Sequence, residues 1–344
     1  MTFIHMKFEG RTTSPWHVGK KRYGDYYYTR DDYLWGRGIR GAVLRQLWRT
    51  YCPKSDAREG VNFTPDRDCP NCVNAEDCAF YNLIGSADEG EFKDKPHLII
   101  TNLRFSGKVK KGRFALTTLD DKYRGVVEGR APVFVEYLHE GARFEFEAIM
   151  MGNGVRFAEE FESAVKTSLR FFGWGGFCNE GFGRGEITDV ERNGFRAFDR
   201  KYVEIHAEKV LQRLNQVKTL TFKIEPILML DREDGGFYTS VYEKGFLKKL
   251  CNCIDERFWQ FYGEHVHVQG WIKGVSGRAR TVTMKAWSRA YRRSKTFKGI
   301  GNELTFHLDG SIGIDEAKAF ALAKYGVGRY KNQGFGSLRL SDTQ

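Results

Sequence analysis

A glycine-rich stretch at residues 325–338 restricts the fold more than any other part of this chain. It interleaves glycines with basic and aromatic side chains: Gly326, Gly328, Arg329, Tyr330, Lys331, Gly334, Phe335 and Gly336. A helical pattern at 314–324 precedes the stretch and an alternating pattern at 337–340 follows it, which predicts a loop between a helix and a strand. Bare backbone there can approach an anion while the basic side chains supply charge. A glycine-rich turn without a ligand is the simpler alternative.

The same pattern occurs earlier in the chain. Residues 173–185 follow a helical pattern at 157–172, precede an alternating pattern at 186–190, and contain Gly181, Gly183 and Arg184. The two segments lie roughly 150 residues apart, a separation that indicates an internal duplication. The order helix, glycines, strand also differs from nucleotide-binding loops, in which the glycines follow a strand.

This duplication predicts an α+β protein with two tandem ferredoxin-like domains, each reading β-α-β-β-α-β and each ending in a glycine-rich loop. We place the N-terminal domain at residues 1–215 and the C-terminal domain at 216–344. The charged residues 193–217 are interpreted as the connector. Within the first domain, the apolar spacing at 39–48 predicts a helix, and alternation at 98–105 and 143–150 predicts two strands.

The charge balance favours a polyanionic partner. Fifty-five Lys and Arg residues against 44 Asp and Glu residues give a formal charge of +11. Residues 271–300 contain aromatic side chains and no acidic residue, and their basic residues are Lys273, Arg278, Arg280, Lys285, Arg289, Arg292, Arg293, Lys295 and Lys298. Cations mixed with stacking faces suit single-stranded nucleic acid, although a solvated basic surface above core aromatics gives the same composition.

The sequence has no apolar run of membrane-spanning length and no signal-peptide pattern. We therefore expect a soluble, cytoplasmic protein without a membrane partner.

Four cysteines lie close together in the sequence, in an insertion at about residues 50–90: Cys52, Cys69, Cys72 and Cys78. Cys69 and Cys72 form a Cys-x-x-Cys pair at a turn, and four such thiols make a ligand set for tetrahedral structural zinc. Two disulfides or unliganded thiols are the alternatives. The absence of secretory features argues against disulfides.

The N-terminal residues 16–32 concentrate His, Lys, Tyr and Asp in a short segment that can supply acid and base groups on a loop. His17, Lys20 and Tyr26 are the candidate catalytic residues. A strand and its turn would explain the same segment without any chemistry.

These motifs resemble the RAMP proteins of CRISPR systems. The resemblance covers most of the chain and depends on the motif that starts at Arg37, the cysteine cluster that ends at Cys78, the stretch 287–294 and the two glycine-rich segments. The branch that the sequence most resembles contains the endoribonucleases that process precursor CRISPR RNA.

This resemblance implies that CRISPR repeat RNA or mature guide RNA is the partner, with the glycine-rich loops against its backbone. It also implies cleavage within the repeat by attack of a 2′-hydroxyl on the adjacent phosphate, without a catalytic metal, so that zinc would be structural. The N-terminal residues are similar as well to the backbone subunits of type III effector complexes, in which Asp25 or Asp31 would matter instead of His17. A RAMP protein that binds RNA without cutting it is the third reading.

Overall fold

The computed structural model describes residues 3–53, 69, 71–84, 97–116, 132–193, 200–214, 218–288, 293–310 and 312–341. The strands of its first half are β1 (Phe3–Thr12), β2 (Gly19–Tyr23), β3 (Tyr26–Thr29), β4 (Tyr33–Leu34), β5 (Leu98–Ile100), β6 (Leu103–Ser106), β7 (Lys111–Leu116), β8 (Val133–Leu138), β9 (Arg143–Met151) and β10 (Gly185–Asn193). Its helices are α1 (Gly36–Tyr51), α2 (Ala79–Ile84) and α3 (Ala158–Thr167), and a π-helical turn, Ser168–Phe172, continues α3.

The first sheet has the strand order β10-β1-β9-β6-β4, and β5 also pairs with β9. Side chains of β1 alternate between the two faces of this sheet. Ile4, Met6 and Phe8 pack in a core with α1 and α3, whereas Phe3 packs in a second core with the other half of the chain. This sheet is therefore covered on both faces.

Helix α1 forms because its apolar residues recur on one side. Ile39, Val43 and Leu47 are fully buried and lie four residues apart, so they form one stripe against the first core. The sequence-predicted helix at 39–48 is confirmed, and it extends three residues further at each end.

The second half contains α4 (Arg200–Leu214), α5 (Phe246–Tyr262) and α6 (Ile314–Leu322). Its strands are β11 (Thr219–Leu228), β12 (Ile272–Ser276), β13 (Arg280–Ser288), β14 (Arg293–Leu308) and β15 (Ser337–Leu340). The sheet has the order β12-β14-β11-β15, and β13 pairs with β14. The predicted α+β class is confirmed.

The main sheets of the two halves have the same topology around their first strands. Their pairings are antiparallel, and in both the first strand of the half lies between the last strand and a long central strand. The first strand is β1 in one half and β11 in the other.

A third sheet, with the order β2-β3-β8-β7, was not predicted from the sequence. Residues 16–32, which we expected to form a loop or a strand with its turn, contribute its β2–β3 hairpin. Strands β7 and β8 supply the other pair, and β3 runs parallel to β8.

Helix α4 corrects the interpretation of residues 193–217 as a connector. Val203, Ala207 and Val210 are buried in the core that also contains β11, α5 and α6. Their spacing of four and three residues places them on one helix face, so α4 is part of the second half's packing. Residues 194–199 and 215–217, which include the proposed domain boundary, lie outside the described residues.

The two halves meet through a buried polar cluster beside an apolar contact. Phe3 stacks on Phe261 with ring centroids 5.4 Å apart. Next to this pair, the Glu147 carboxylate accepts hydrogen bonds from Lys324 Nζ at 2.9 Å and from the Tyr325 hydroxyl at 2.8 Å, and His5 Nε2 lies 2.9 Å away. Burial alone would raise the pKa of Glu147, but Lys324 and His5 hold it below its ordinary value. The carboxylate therefore stays charged and joins the two sheets.

None of the helices in the described part of the chain is both long and apolar enough to cross a membrane.

Two glycine-rich loops precede the last strands of the two halves; we call residues 173–183 loop 1 and residues 326–336 loop 2. The fully buried Arg257 of α5 holds loop 2 from inside. Its guanidinium donates to the carbonyl oxygens of Gly326 at 2.8 Å and Tyr325 at 3.0 Å, and to Asn332 Oδ1 at 3.1 Å. Burial lowers the pKa of Arg257 to about 10, so the side chain is still charged at neutral pH.

Replacing Arg257 tests this support. We expect Arg257→Met to destabilise the protein by about 3–5 kcal/mol, because four buried acceptors, these three and Gln260 Oε1, would lose their donor. Chemical denaturation of Arg257→Met and of Arg329→Met measures the difference. Arg329 is an exposed residue of the same loop, and its replacement should change stability by less than about 0.5 kcal/mol. Equal stability of the two variants would contradict the assigned role.

Candidate nucleic-acid interface

Loops 1 and 2 have the same backbone conformation, position by position. Five equivalent pairs have positive φ: Gly173 and Gly326 (73° and 90°), Gly175 and Gly328 (101° and 77°), Phe177 and Tyr330 (59° and 59°), Gly181 and Gly334 (86° and 81°), and Gly183 and Gly336 (83° and 64°). An aromatic residue with positive φ is rare. Its occurrence at the same position of both loops shows that the sequence repeat is also a structural repeat.

Each loop donates hydrogen bonds to the chain at or just beyond the end of the first strand of its half. In loop 1, the Gly183 amide donates to the Pro15 carbonyl at 2.8 Å and the Gly176 amide donates to the His17 carbonyl at 2.9 Å. In loop 2, the Gly336 amide donates to the Ile227 carbonyl at 2.9 Å and the Arg329 amide donates to the Met229 carbonyl at 2.8 Å. His17 therefore occupies in the first half the place that Met229 occupies in the second.

The outer face of loop 2 is closed by the first half. Asn102 lies between β5 and β6, and its Nδ2 donates to the Gly334 carbonyl at 3.0 Å. Its Oδ1 accepts the Gly36 amide at the start of α1 at 2.9 Å. A Cβ on Gly334 would collide with this Oδ1 atom. Arg37 adds a hydrogen bond from Nη1 to Gln333 Oε1 at 2.7 Å.

The other glycines of loop 2 also face the chain itself. A Cβ on Gly326 would meet the Phe335 carbonyl, one on Gly328 the Met229 carbonyl, and one on Gly336 the Val327 carbonyl. Gly326 and Gly336 are buried. The bare backbone of these glycines is thus used for packing within the protein.

The two predicted cations of loop 2 differ in exposure. Arg329 is exposed and pairs with Asp231 at 3.0 Å. Lys331 pairs with Glu256 at 2.9 Å, and burial together with the charge of Arg257 lowers the pKa of Lys331 to about 8. Arg329 is therefore the more accessible of the two.

Loop 1 is open where loop 2 is closed. No atom lies within 4 Å of a Cβ built on Gly181, apart from its chain neighbours, among the described residues. The neighbouring Arg184 is exposed, and its backbone is fixed by hydrogen bonds to Ser14 Oγ and from Trp16 Nε1. Gly183 is buried against Trp174. Of the six glycines we predicted to bind RNA, Gly181 is the one with open space above its backbone.

His17 is held next to loop 1 in a defined tautomer. Its side chain is 4% exposed, and Nδ1 lies 2.7 Å from the Glu136 carbonyl oxygen, which can only accept a hydrogen bond. The proton of the neutral ring therefore resides on Nδ1, and Nε2 is the acceptor. Nε2 faces Gly19, at the exposed start of β2: a Cβ atom built on this glycine would lie 3.9 Å from Nε2. Burial lowers the pKa of His17, so the neutral form predominates at pH 7.

Of the three predicted catalytic residues, His17 lies just before the β2–β3 hairpin, and Lys20 and Tyr26 lie on it. Lys20 is exposed and occupies an irregularity in the pairing between β2 and β3. Tyr26 is at the far end of β3, where it pairs with Tyr23 and stacks on Phe134 at 4.8 Å. Tyr27, which we did not single out, has its ring centroid 6.3 Å from that of His17.

The third sheet surrounds loop 1 with cations and aromatic rings. Its two edge strands, β2 and β7, each carry basic residues and no acidic residue. Phe182 of loop 1 lies 6.3 Å from Phe114 and 6.0 Å from Tyr137, measured between ring centroids. Phe177 lies 5.1 Å from His17. These are the side-chain types that contact single-stranded nucleic acid.

The basic segment 271–300 forms β12 and the β13–β14 hairpin. Lys273, Arg278, Arg280, Lys285 and Lys298 are exposed. Arg289 and Arg292 lie outside the described residues, as does the side chain of Arg293, whose backbone begins β14. Phe297 is buried and faces Arg37, whose guanidinium lies 5.1 Å from the ring centroid.

Three of the four clustered cysteines share one neighbourhood. Cys52 follows α1 and Cys78 precedes α2. Burial raises the pKa of Cys78, and the charges of Cys52 and Cys72 raise it further, which indicates that the three thiols lie near one another. In the described part of the chain, no group of three or more His, Cys, Asp or Glu side chains is arranged to hold a metal ion. Zinc therefore stays a prediction, supported by the thiolate chemistry of these residues.

Comparisons with known proteins identify a superfamily and weak structural similarities. A search of curated protein sequences finds no match. A chain of a type III-B Cmr-β complex bound to cognate target RNA is 13% identical, with a TM-score of 0.37 over 56% of this chain and 61% of that chain, which is less than two thirds of its length.

Two Cas6 product complexes match over 99% of this chain and 100% of theirs. One is 13% identical with a TM-score of 0.42, and the other is 11% identical with a TM-score of 0.43.

The sequence profile of the RAMP superfamily matches residues 10–186. This range extends from β1 through loop 1 to the first residues of β10. It covers just over half of the chain, and the protein therefore belongs to the RAMP superfamily.

Proposed function

We propose that this protein is a CRISPR-associated RNA-binding protein that cleaves precursor CRISPR RNA within its repeats. The observation that carries the proposal is the position of His17. Its ring is in the tautomer of a general base, and its backbone carbonyl accepts the Gly176 amide of loop 1, whose outer face at Gly181 is open among the described residues. The two halves of the chain, on this proposal, are tandem ferredoxin-like domains, and repeat RNA or mature guide RNA is the partner.

RNA binding is assigned to the surface around loop 1. Gly181 leaves space for a ribose-phosphate chain to approach the backbone, and Arg184 is exposed beside it. The basic edge strands β2 and β7 extend this surface on the third sheet. In the second half, Arg329 and the exposed cations of β13 and β14 provide further phosphate contacts, which would make affinity depend strongly on salt.

The cleavage reaction needs a base for the 2′-hydroxyl and a cation for the charged phosphorane. Neutral His17 can accept the 2′-proton at Nε2 while Nδ1 remains bonded to the Glu136 carbonyl. The exposed Lys20 can supply the positive charge. Tyr26 is the candidate acid that would donate a proton to the leaving 5′-oxygen. These are side-chain roles, so the proposal requires no catalytic metal.

A second candidate function is that of a guide-RNA-binding subunit of a type III-like effector complex that does not process RNA. The observation in its favour is the exposure of Asp25 in the turn between β2 and β3, whereas Asp31 pairs with Lys111 at 3.1 Å. Such a subunit would assemble into filaments on guide RNA, and a processing enzyme would cut free repeat RNA.

The two loops allow a matched test of RNA binding. We expect Gly181→Asn to lower affinity for repeat RNA roughly tenfold, because the side chain fills the open space while asparagine tolerates positive φ. Gly334→Asn should instead destabilise the fold by about 1–3 kcal/mol through its collision with Asn102. Fluorescence anisotropy with labelled repeat RNA and thermal melts measure both effects. Unchanged affinity in Gly181→Asn would remove loop 1 from the interface.

Cleavage is tested with labelled repeat RNA in EDTA. The wild type should make one cut that leaves a 2′,3′-cyclic phosphate, and His17→Gln should cut about 10²–10⁴ times more slowly. Because burial lowers the pKa of His17, the rate should fall with acid only below its ordinary value of 6.5.

The control for this test is His139→Gln, since His139 is an exposed histidine that directly follows β8 of the same sheet. Equal rates in the two variants would exclude His17 as the base. A wild type that leaves repeat RNA intact would end the cleavage proposal and favour the effector subunit.

Structural zinc is tested by metal analysis of the purified protein. We expect one zinc per chain, and its loss together with a lower melting temperature in Cys69→Ser and Cys72→Ser, because metal binding contributes directly to folding. Cys251→Ser, a buried thiol of α5 outside the cluster, should keep its zinc. Metal-free wild-type protein would refute the site.

A further inference from the structure

The side chain of Arg30, the residue that follows β3, lies against two aromatic rings. Its guanidinium carbon lies 4.4 Å from the ring centroid of Tyr33 and 5.5 Å from that of Trp35. Stacking of this kind leaves the N–H groups in the guanidinium plane available for hydrogen bonds. The side chain as a whole is partly exposed.

Three N–H donors of this group are buried and have no hydrogen-bond partner among the described residues. They are Nε and Nη1 of Arg30 and Nε1 of Trp35. Buried donors without partners are rare and unfavourable, particularly on a charged group. Their occurrence together indicates that a ligand completes the site.

The nearby carboxylates are engaged elsewhere. Asp31 pairs with Lys111 at 3.1 Å, and Asp32 Oδ1 accepts the Tyr33 amide at 3.0 Å. Glu225, whose charge acts on Tyr33, pairs with Arg104. None of these three carboxylates bonds Nε or Nη1 of Arg30, so both donors remain available to a ligand.

We propose that Arg30 and Trp35 form an oxyanion site that binds a phosphodiester group of RNA. The three free positions are all donors, so the complementary ligand presents only acceptors, and the charge of Arg30 selects an anion. A phosphate group meets both requirements. The choice of RNA as the source of the phosphate rests on the proposed function.

The position of the site between the two loops supports RNA as the source of the phosphate. The backbone amide of Arg30 donates to the Val18 carbonyl at 2.8 Å, next to His17 and loop 1. On the other side, the Trp35 ring lies 6.4 Å from Phe335 of loop 2. An RNA strand that contacts loop 1 and continues toward the second half would pass this arginine.

The decisive experiment measures the salt dependence of binding to a single-stranded repeat RNA. Arg30→Gln should lower affinity roughly tenfold and reduce the slope of log K against log salt by about one, because one phosphate contact is lost. Arg156→Gln is the matched control: Arg156 also stacks on an aromatic ring, Phe157, but is exposed. It should leave both quantities unchanged.

Two further variants keep the test valid if Arg30→Gln does not fold. Trp35→Phe keeps an aromatic ring and removes one donor, so it should weaken binding without changing the slope. Arg30→Lys keeps the charge and removes the planar donor set, with the same expected pattern. Wild-type affinity in both conservative variants would overturn the proposal.

Thermal melts in sodium phosphate and in sodium chloride of equal ionic strength separate the possible failures. Arg30-dependent stabilisation by inorganic phosphate, with no RNA binding by the wild type, would support the oxyanion site and refute the proposed function. RNA binding with the same slope in Arg30→Gln and Arg156→Gln would refute the phosphodiester site and leave the proposed function intact. The same slopes combined with Arg30-dependent stabilisation by phosphate would assign the site to free phosphate.

Discussion

Both halves of the protein depend on the hydrogen bonds between each glycine loop and the chain at or just beyond the end of the first strand of that half. Because the loop amides bond to the carbonyls of residues 15 and 17, or of 227 and 229, the side chain at 17 or 229 has a fixed position beside the loop. In the second half that side chain is Met229, which belongs to a small apolar core with Phe335. In the first half it is His17. The same backbone arrangement therefore places an apolar side chain beside loop 2 and a titratable imidazole ring beside loop 1.

The two loops differ in how much of the protein packs against their outer faces. Asn102 satisfies the Gly334 carbonyl and the first amide of α1 at once, so loop 2 is part of the contact between the halves. Arg257 then fixes that loop from its inner side. Gly181 has the same backbone conformation as Gly334 but has no such neighbour in the described part of the chain. A glycine that is required for a turn in both loops is thus packed against the protein in loop 2 and has open space above it, among the described residues, in loop 1.

The sequence predicted the local features of the fold better than its long-range contacts. Strong periodicity located α1, β9 and α6, and the repeated Gly-Phe-Gly motif located both loops. Helix α4 was missed because its many charges hid the apolar spacing of Val203, Ala207 and Val210. The third sheet was missed because β2 is fully exposed and lacks the alternation that marks a half-buried strand. The contact of Asn102 with Gly334 joins residues 232 positions apart and has no local signal.

Two buried arginines, Arg40 and Arg257, contribute positive charge inside the protein. Arg257 donates to backbone carbonyl and side-chain amide oxygens, and Arg40 donates to the Leu98 carbonyl, so these bonds are made to partial negative charges. Burial lowers the pKa of both to about 10, which leaves them positive at neutral pH. Arg40 belongs to the same helix whose first turn contacts loop 2 and contains no acidic residue. The buried charge of Arg40 and the N-terminal end of the α1 dipole are therefore both positive on the helix that contacts loop 2.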